Sequence, residues 1–301
     1  MSAGPSNEPH NETAGIIYAA AAYGIWGVFP LYWELLSNVP PLELSVHRMV
    51  WCAFFAAGVT LARGRFSALW RIVGTRKLVL ALALSSVLIA TNWTIYIYSV
   101  ASAQLVEASL GYYINPLLSI ALGVFALGEK LSRLRLLAIV LAAAAVTFKA
   151  FAIGHFPWIA IGLALSFGFY GYMRKLTPVG ALDGLAIETC LLLPLTLGAV
   201  LFWTLSGTGT FPAPDFRTNA LLVLAGPMTA IPLALFAAGA RRVRLSTLGF
   251  LQYLSPSLTL LVATLILGER FTWSDAATFG CVWLALILVA VDGRLTAREP
   301  V

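Results

Sequence analysis

The sequence predicts an all-α integral membrane protein of ten transmembrane helices arranged as two inverted five-helix repeats, on three observations. Of the 301 residues, 60% are apolar and 11% charged, against roughly half and a quarter in soluble domains. Ten apolar stretches follow one another with short connections, each near the 20 or so residues that a helix needs to cross a bilayer. The chain also matches itself when shifted by about 140 residues. A soluble fold would have to cover its surface with only 32 acidic and basic side chains, too few for a chain of this size. Soluble enzymes and nucleic-acid binders are therefore excluded.

The stretches cover residues 14–36, 41–62, 78–101, 104–127, 134–153, 157–173, 181–205, 219–240, 245–267 and 275–291. The first follows a polar tail (residues 1–13) that carries Glu8 and Glu12 rather than Lys or Arg, so it reads as a retained helix and not a cleaved signal. With the N-terminus in the cytoplasm, fifteen of the 19 basic residues fall on the cytoplasmic side, Arg174 and Lys175 among them. Arg217 and Arg270 face the other side, and Arg48 and Lys149 lie within or at the edge of spans. This asymmetry places both termini inside and accounts for the net charge of +6 without nucleic acid. Cys52, Cys190 and Cys281 lie in apolar stretches without metal-ligand spacing and read as packing residues. No metal or cofactor is implied.

The internal match brings Tyr113, Pro116, Leu118, Leu127, Gly128 and Glu129 onto Tyr253, Pro256, Leu258, Leu267, Gly268 and Glu269, with Lys130 onto Arg270. More loosely, Gly24-Ile-Trp26-Gly27 corresponds to Gly168-Phe-Tyr170-Gly171, and Leu44-Ser-Val-His47 to Leu185-Ala-Ile-Glu188. Two five-helix repeats follow, residues 14–153 and 154–293, with a short cytoplasmic tail at 294–301. Five is odd, so the second repeat enters the bilayer from the opposite face, an arrangement found in transporters.

The Leu-Gly-Glu-basic ends, together with Glu107-Ala-Ser-Leu-Gly-Tyr-Tyr-Ile-Asn-Pro116 and Leu245-Ser-Thr-Leu-Gly-Phe-Leu-Gln-Tyr253, resemble the EamA branch of the drug/metabolite transporters, and within it the RarD permeases. The resemblance spans about residues 14–292. It implies a bacterial inner-membrane permease that exports small molecules, with the first, third, fourth, sixth, eighth and ninth helices around a central cavity and the fifth and tenth outside. It does not carry a substrate identity.

Ionisable groups within hydrocarbon are costly and default to functional candidates. His47, Arg48, Glu107 and Glu188 lie deep and are candidates for gating or coupling, with a structural ion pair as the rival reading. Arg48 and Glu107 are expected to share an ion pair or hydrogen-bond network that includes His47. Glu43, Lys149 and Asp183 lie within about a turn of helix ends and read as interface residues. Glu107, Gly111, Asn115 and Ser119 recur every four residues on one helical face, and Asn92, Tyr96 and Ser99 form a similar stripe. Trp26, Asn92, Tyr96, Asn115, Tyr170 and Tyr253 are the candidate substrate-binding residues. Trp33, Trp51, Trp158, Trp203 and Trp273 read as an interfacial belt. Pro116 and Pro256, matched by the repeat, are candidate hinges.

The function these features predict is a secondary exporter of small organic solutes working by alternating access, with the substrate and the bilayer as partners. There is no GxxxxGK[ST] string for ATP. An intramembrane enzyme would need a metal motif or paired catalytic groups, and a channel would need rings of like charge or filter carbonyls; neither pattern is legible.

Overall fold

The computed structural model describes residues 12–102, 104–153, 156–266 and 273–296. Leu267, Gly268, Glu269 and Arg270 of the second Leu-Gly-Glu-basic end lie outside the described residues, as do both tails and the side chains of Glu107 and Lys149.

Among the described residues all regular structure is helical: α1 (Glu12–Glu34), α2 (Pro41–Ala62), α3 (Phe66–Val73), α4 (Arg76–Ala101), α5 (Leu105–Leu127), α6 (Arg133–Ile153), α7 (Trp158–Leu176), α8 (Ala181–Ser206), α9 (Phe216–Arg242), α10 (Leu245–Gln252), α11 (Leu254–Leu265) and α12 (Trp273–Thr296). Among the described residues seven stretches are long and apolar enough to cross a membrane: Glu12–Glu34, Pro41–Ala62, Arg76–Tyr96, Leu110–Leu127, Ala181–Ser206, Phe216–Arg242 and Leu245–Val262. Their outer surface is apolar, with Phe125, Leu205 and Phe216 each more than four-fifths exposed. Their interior holds His47, Arg174 and Glu188, each about 1% exposed. Apolar outside and polar inside is the distribution that a hydrocarbon solvent selects, since only the interior can supply hydrogen-bond partners.

Local sequence explains the ends. Pro41 opens α2, where a missing N–H costs nothing. Gly128 and Gly207 close α5 and α8 in the left-handed conformation, which a residue without Cβ adopts freely. Asp215 caps α9 by accepting from the Thr218 N–H at 2.7 Å. Glu129, just beyond α5, accepts from the backbone N–H groups of Leu245 and Ser246 and from the Ser246 hydroxyl, at 2.6, 3.0 and 2.6 Å. Its carboxylate thus sits on the positive end of α10, a favourable place for an anion. The Gly-Glu pair at 128–129 is a device that joins two helices.

Two features depart from the expected stretches. The loop after α2 contains the short helix α3, which exposes Phe66, Trp70 and Val73 while burying Ile72. The ninth stretch is broken at Tyr253 into α10 and α11. Pro256 lacks an N–H for the carbonyl of Gln252 and its ring crowds that carbonyl, which favours a break at this turn. Its repeat mate Pro116 lies inside a continuous α5.

Helices pack across the halves of the chain: α2 against α8 and α9, α1 against α9 and α11, α5 against α7 and α10, and α6 against α12. Glycines allow the closest approaches. A Cβ on Gly226 would stand 2.4 Å from the Trp51 carbonyl carbon, and one on Gly249 would stand 2.6 Å from the Pro116 carbonyl oxygen. Such small-residue contacts replace the hydrophobic effect as the source of helix association in lipid.

Candidate functional site

The packing leaves a cavity of about 470 Å³. Its wall draws Tyr23, Trp26, Phe29, Pro30 and Trp33 from α1, Asn92, Trp93 and Tyr96 from α4, Gly111, Tyr112, Tyr113 and Asn115 from α5, Phe167 from α7, Thr229 from α9, Gln252 from α10 and Pro256 and Thr259 from α11. α2 contributes Arg48 and α12 contributes Phe279. Aromatic rings are the largest group in this mainly apolar wall, with a few amides and hydroxyls, a composition suited to an organic molecule held by its apolar body.

Of the candidate binding residues, Trp26, Asn92, Tyr96 and Asn115 line this cavity. Trp26 meets Phe167 edge-on at 5.7 Å. Asn92 donates to the Leu163 carbonyl and to the Ser166 hydroxyl, both at 3.0 Å, which fixes its orientation. Asn115 is 4% exposed, and its Oδ1 is buried without a hydrogen-bond partner. Tyr170 and Tyr253 are not in the wall. Tyr170 stacks on Phe236 at 5.9 Å and lies a layer behind, with its hydroxyl 3.4 Å from Glu188. Tyr253 sits at the α10–α11 break, fully buried, donating to the Tyr113 carbonyl at 3.2 Å. Rotation about the axis accounts for both: each lies deep within its apolar stretch, but on the face turned toward a neighbouring helix.

The four deep ionisable candidates divide among separate places. Arg48 projects into the cavity, its guanidinium carbon 4.6 Å from the Trp33 ring centroid and 5.7 Å from that of Trp93, with Nε donating to the Thr229 hydroxyl at 3.3 Å. His47, next in sequence, points about 100° away around the helix. Its Nε2 lies 3.7 Å from Glu43, one turn earlier, and its ring packs on Phe211. The expected inclusion of His47 in an Arg48 network is corrected accordingly; the Glu107 side chain lies outside the described residues. Glu188 is buried with Arg174, whose Nη1 is 3.3 Å from its carboxylate, and accepts from Ser85. Arg174 also donates to the Ala181 carbonyl at 3.1 Å, and its guanidinium occupies the space that a Cβ on Gly184 would take.

Glu43 and Asp183, read from sequence as interface residues, are buried at 4% and 3% exposure. Glu43 accepts from the Thr210 N–H and hydroxyl and from the Phe211 N–H, at 2.6, 2.8 and 3.2 Å. Asp183 takes both Arg65 Nε and Nη2, the latter at 2.6 Å. These hydrogen bonds hold the Arg65 guanidinium above its ordinary pKa. Arg174, Trp33, Tyr112 and Gln252 were missed. Arg174 had a legible signal, since Ser166, Tyr170 and Arg174 follow at four-residue spacing on one face of α7 and all are buried. Trp33 had one as well, seven residues after Trp26 on the same face of α1.

Apolar helices enclosing an aromatic cavity whose wall comes from both halves of the chain define an integral membrane protein of the transporter class. The chain belongs to the EamA-like transporter family, whose model matches residues 13–150 and again 157–291. It is similar to the uncharacterized transporter YojE of Bacillus subtilis, at 44% identity over 93% of this chain and 94% of that one. It is also similar to the RarD protein of Escherichia coli, at 40% identity over 95% of this chain and 96% of that one. A chloramphenicol-sensitive RarD protein of Pseudomonas aeruginosa is 30% identical over 95% of this chain and 96% of its own length. One crystal structure shares the fold at 18% sequence identity, with a TM-score of 0.71 over 93% of this chain and 98% of that one.

Proposed function

We propose that the chain is a secondary exporter of small organic solutes in the bacterial inner membrane, working by alternating access between two inverted five-helix repeats (residues 14–153 and 154–293) with both termini in the cytoplasm. The observation that carries this reading is the aromatic cavity, because its wall is shared between helices of the two matched segments. Rocking of one segment against the other would open such a cavity to alternate faces. Trp26, Asn92, Tyr96 and Asn115 contact the solute in this reading, and Tyr170 and Tyr253 support the wall from behind. The Glu43–His47 cluster and the Arg174–Glu188 pair, near opposite ends of the bundle, lock the parts that stay together while the gating motion opens the cavity. Pro256, beside the break in the ninth stretch, and Pro116, against Gly249, serve as hinges.

Purified protein in liposomes, loaded with a panel of radiolabelled aromatic and aliphatic solutes, tests the reading. Saturable flux that falls on Trp26→Ala or Asn92→Ala supports it. Absence of saturable flux for every solute would remove the transport assignment for this cavity. Phosphatase fusions after Leu36, Leu78, Ile153 and Ser206 test the topology. Activity is expected after the first, third and fourth, and the reverse pattern would end the inverted-repeat argument.

A further inference from the structure

Arg48 lies seven residues into α2, about 10 Å along the helix. A guanidinium stays protonated in any protein environment, so its charge has to be balanced by a neighbour or by a bound molecule. Among the described residues no carboxylate lies within 4.0 Å of it, and it is the one charged residue among those described in the cavity wall. Its one hydrogen bond uses Nε, toward Thr229. The terminal nitrogens remain, in the planar fork that matches two oxygens of a carboxylate.

The surroundings narrow the choice. Trp33 and Trp93 flank the guanidinium, which holds the fork in one plane and excludes a large hydrated counter-ion. Trp26 and Tyr112 continue the aromatic wall.

We infer that the cavity selects organic monoanions, a carboxylate on a flat aromatic body, with the Arg48 guanidinium receiving the carboxylate and the tryptophans receiving the ring. This rests on the transport reading for its purpose but not for its test. A multivalent anion would leave charge unmatched by a single guanidinium, and an amine would meet a like charge in a low-dielectric wall.

Binding to detergent-purified protein is measured by quenching of tryptophan fluorescence, with phenylacetate, phenethylamine and benzyl alcohol as probes of nearly equal shape. Phenylacetate should bind at least tenfold more tightly than either of the others in the unaltered protein. Arg48→Gln should abolish that preference, and Arg48→Lys should retain part of it by keeping charge without the fork. Equal binding of the three probes by the unaltered protein, or a preference that survives in Arg48→Gln, would overturn the inference; the first outcome needs no variant to fold. Flux in liposomes separates the two claims. Transport of the alcohol or amine but not the acid leaves the transporter reading standing and removes the anion site, whereas selective binding of the acid without flux of any probe does the opposite.

Discussion

The molecule holds two guanidiniums within its helix bundle and treats them oppositely. Arg174, at the end of α7, is closed in by Glu188, the Ala181 carbonyl and the bare backbone of Gly184. Arg48, in α2, has tryptophan faces, one hydroxyl and the cavity. The first arrangement has its counter-charge within the protein, so removing either partner strands the other in a low dielectric. The second leaves the charge matched only by polarisable rings, which costs stability and reserves the fork for something that comes and goes. Whether a buried charge serves architecture or ligand is thus written in its neighbours rather than in its depth.

The largest effect expected from this contrast is at Arg174. Arg174→Met leaves Glu188 uncompensated and should cost about 3–5 kcal/mol of stability, read as a lowered melting temperature in lipid nanodiscs. Adding Glu188→Leu should restore much of the loss; a double variant as unstable as the sum of the two singles would show that the pair is not a unit. Next comes Gly184→Ala, whose added methyl would stand 2.2 Å from Arg174 Nη1. Both charges remain but the guanidinium is pushed from its seat, for a cost of about 1–3 kcal/mol. A neutral result would mean that Arg174 has an alternative position of equal quality.

Asp215→Ala sets the scale of an ordinary solvated contact. The carboxyl is held below the usual carboxylate range by the Thr218 N–H, so the cap contributes fully at neutral pH and is lost as pH falls through its lowered value. The gap in melting temperature between parent and variant should be small at pH 7 and should close in acid. A gap that widens in acid would contradict the cap. Smallest of all is the stability change for Arg48→Gln, which should leave the melting temperature unchanged or raise it while altering ligand preference. A loss comparable to that of Arg174→Met would place Arg48 in the structural class and dissolve the contrast.

Much of this was legible in the sequence because hydrophobic length and helical spacing are local properties. The stripes at Asn92/Tyr96 and Gly111/Asn115 reach the cavity wall as their spacing implies. Rotation and partner identity are not local. Arg174 follows an apolar run and reads as a cytoplasmic anchor, yet the face it shares with Tyr170 points inward at Glu188 from another helix. Trp33 sits near a helix end, where a belt is the ordinary reading, and only the placement of α2 brings Arg48 beneath it. Tyr170 and Tyr253 have the right depth but the wrong azimuth. For the break at Tyr253, Pro256 supplied a local cause, but Pro116 shows that the same residue can lie in an unbroken helix.

The carboxylates in the first turns of α2 and α8 carry one more implication. Glu43 near the start of α2 grips the segment after α8, and Asp183 near the start of α8 grips the segment after α2. The two helices run antiparallel and are fastened at both extremities, like a plank nailed at each end. Sliding along the shared axis would have to break both fastenings together, so shear between these two helices is the motion the bundle resists most. Any displacement that opens the cavity has to fall on seams without such paired fastenings; the α5–α10 crossing, held by Glu129 at one end and by the Tyr253–Tyr113 hydrogen bond at the other, is not among them.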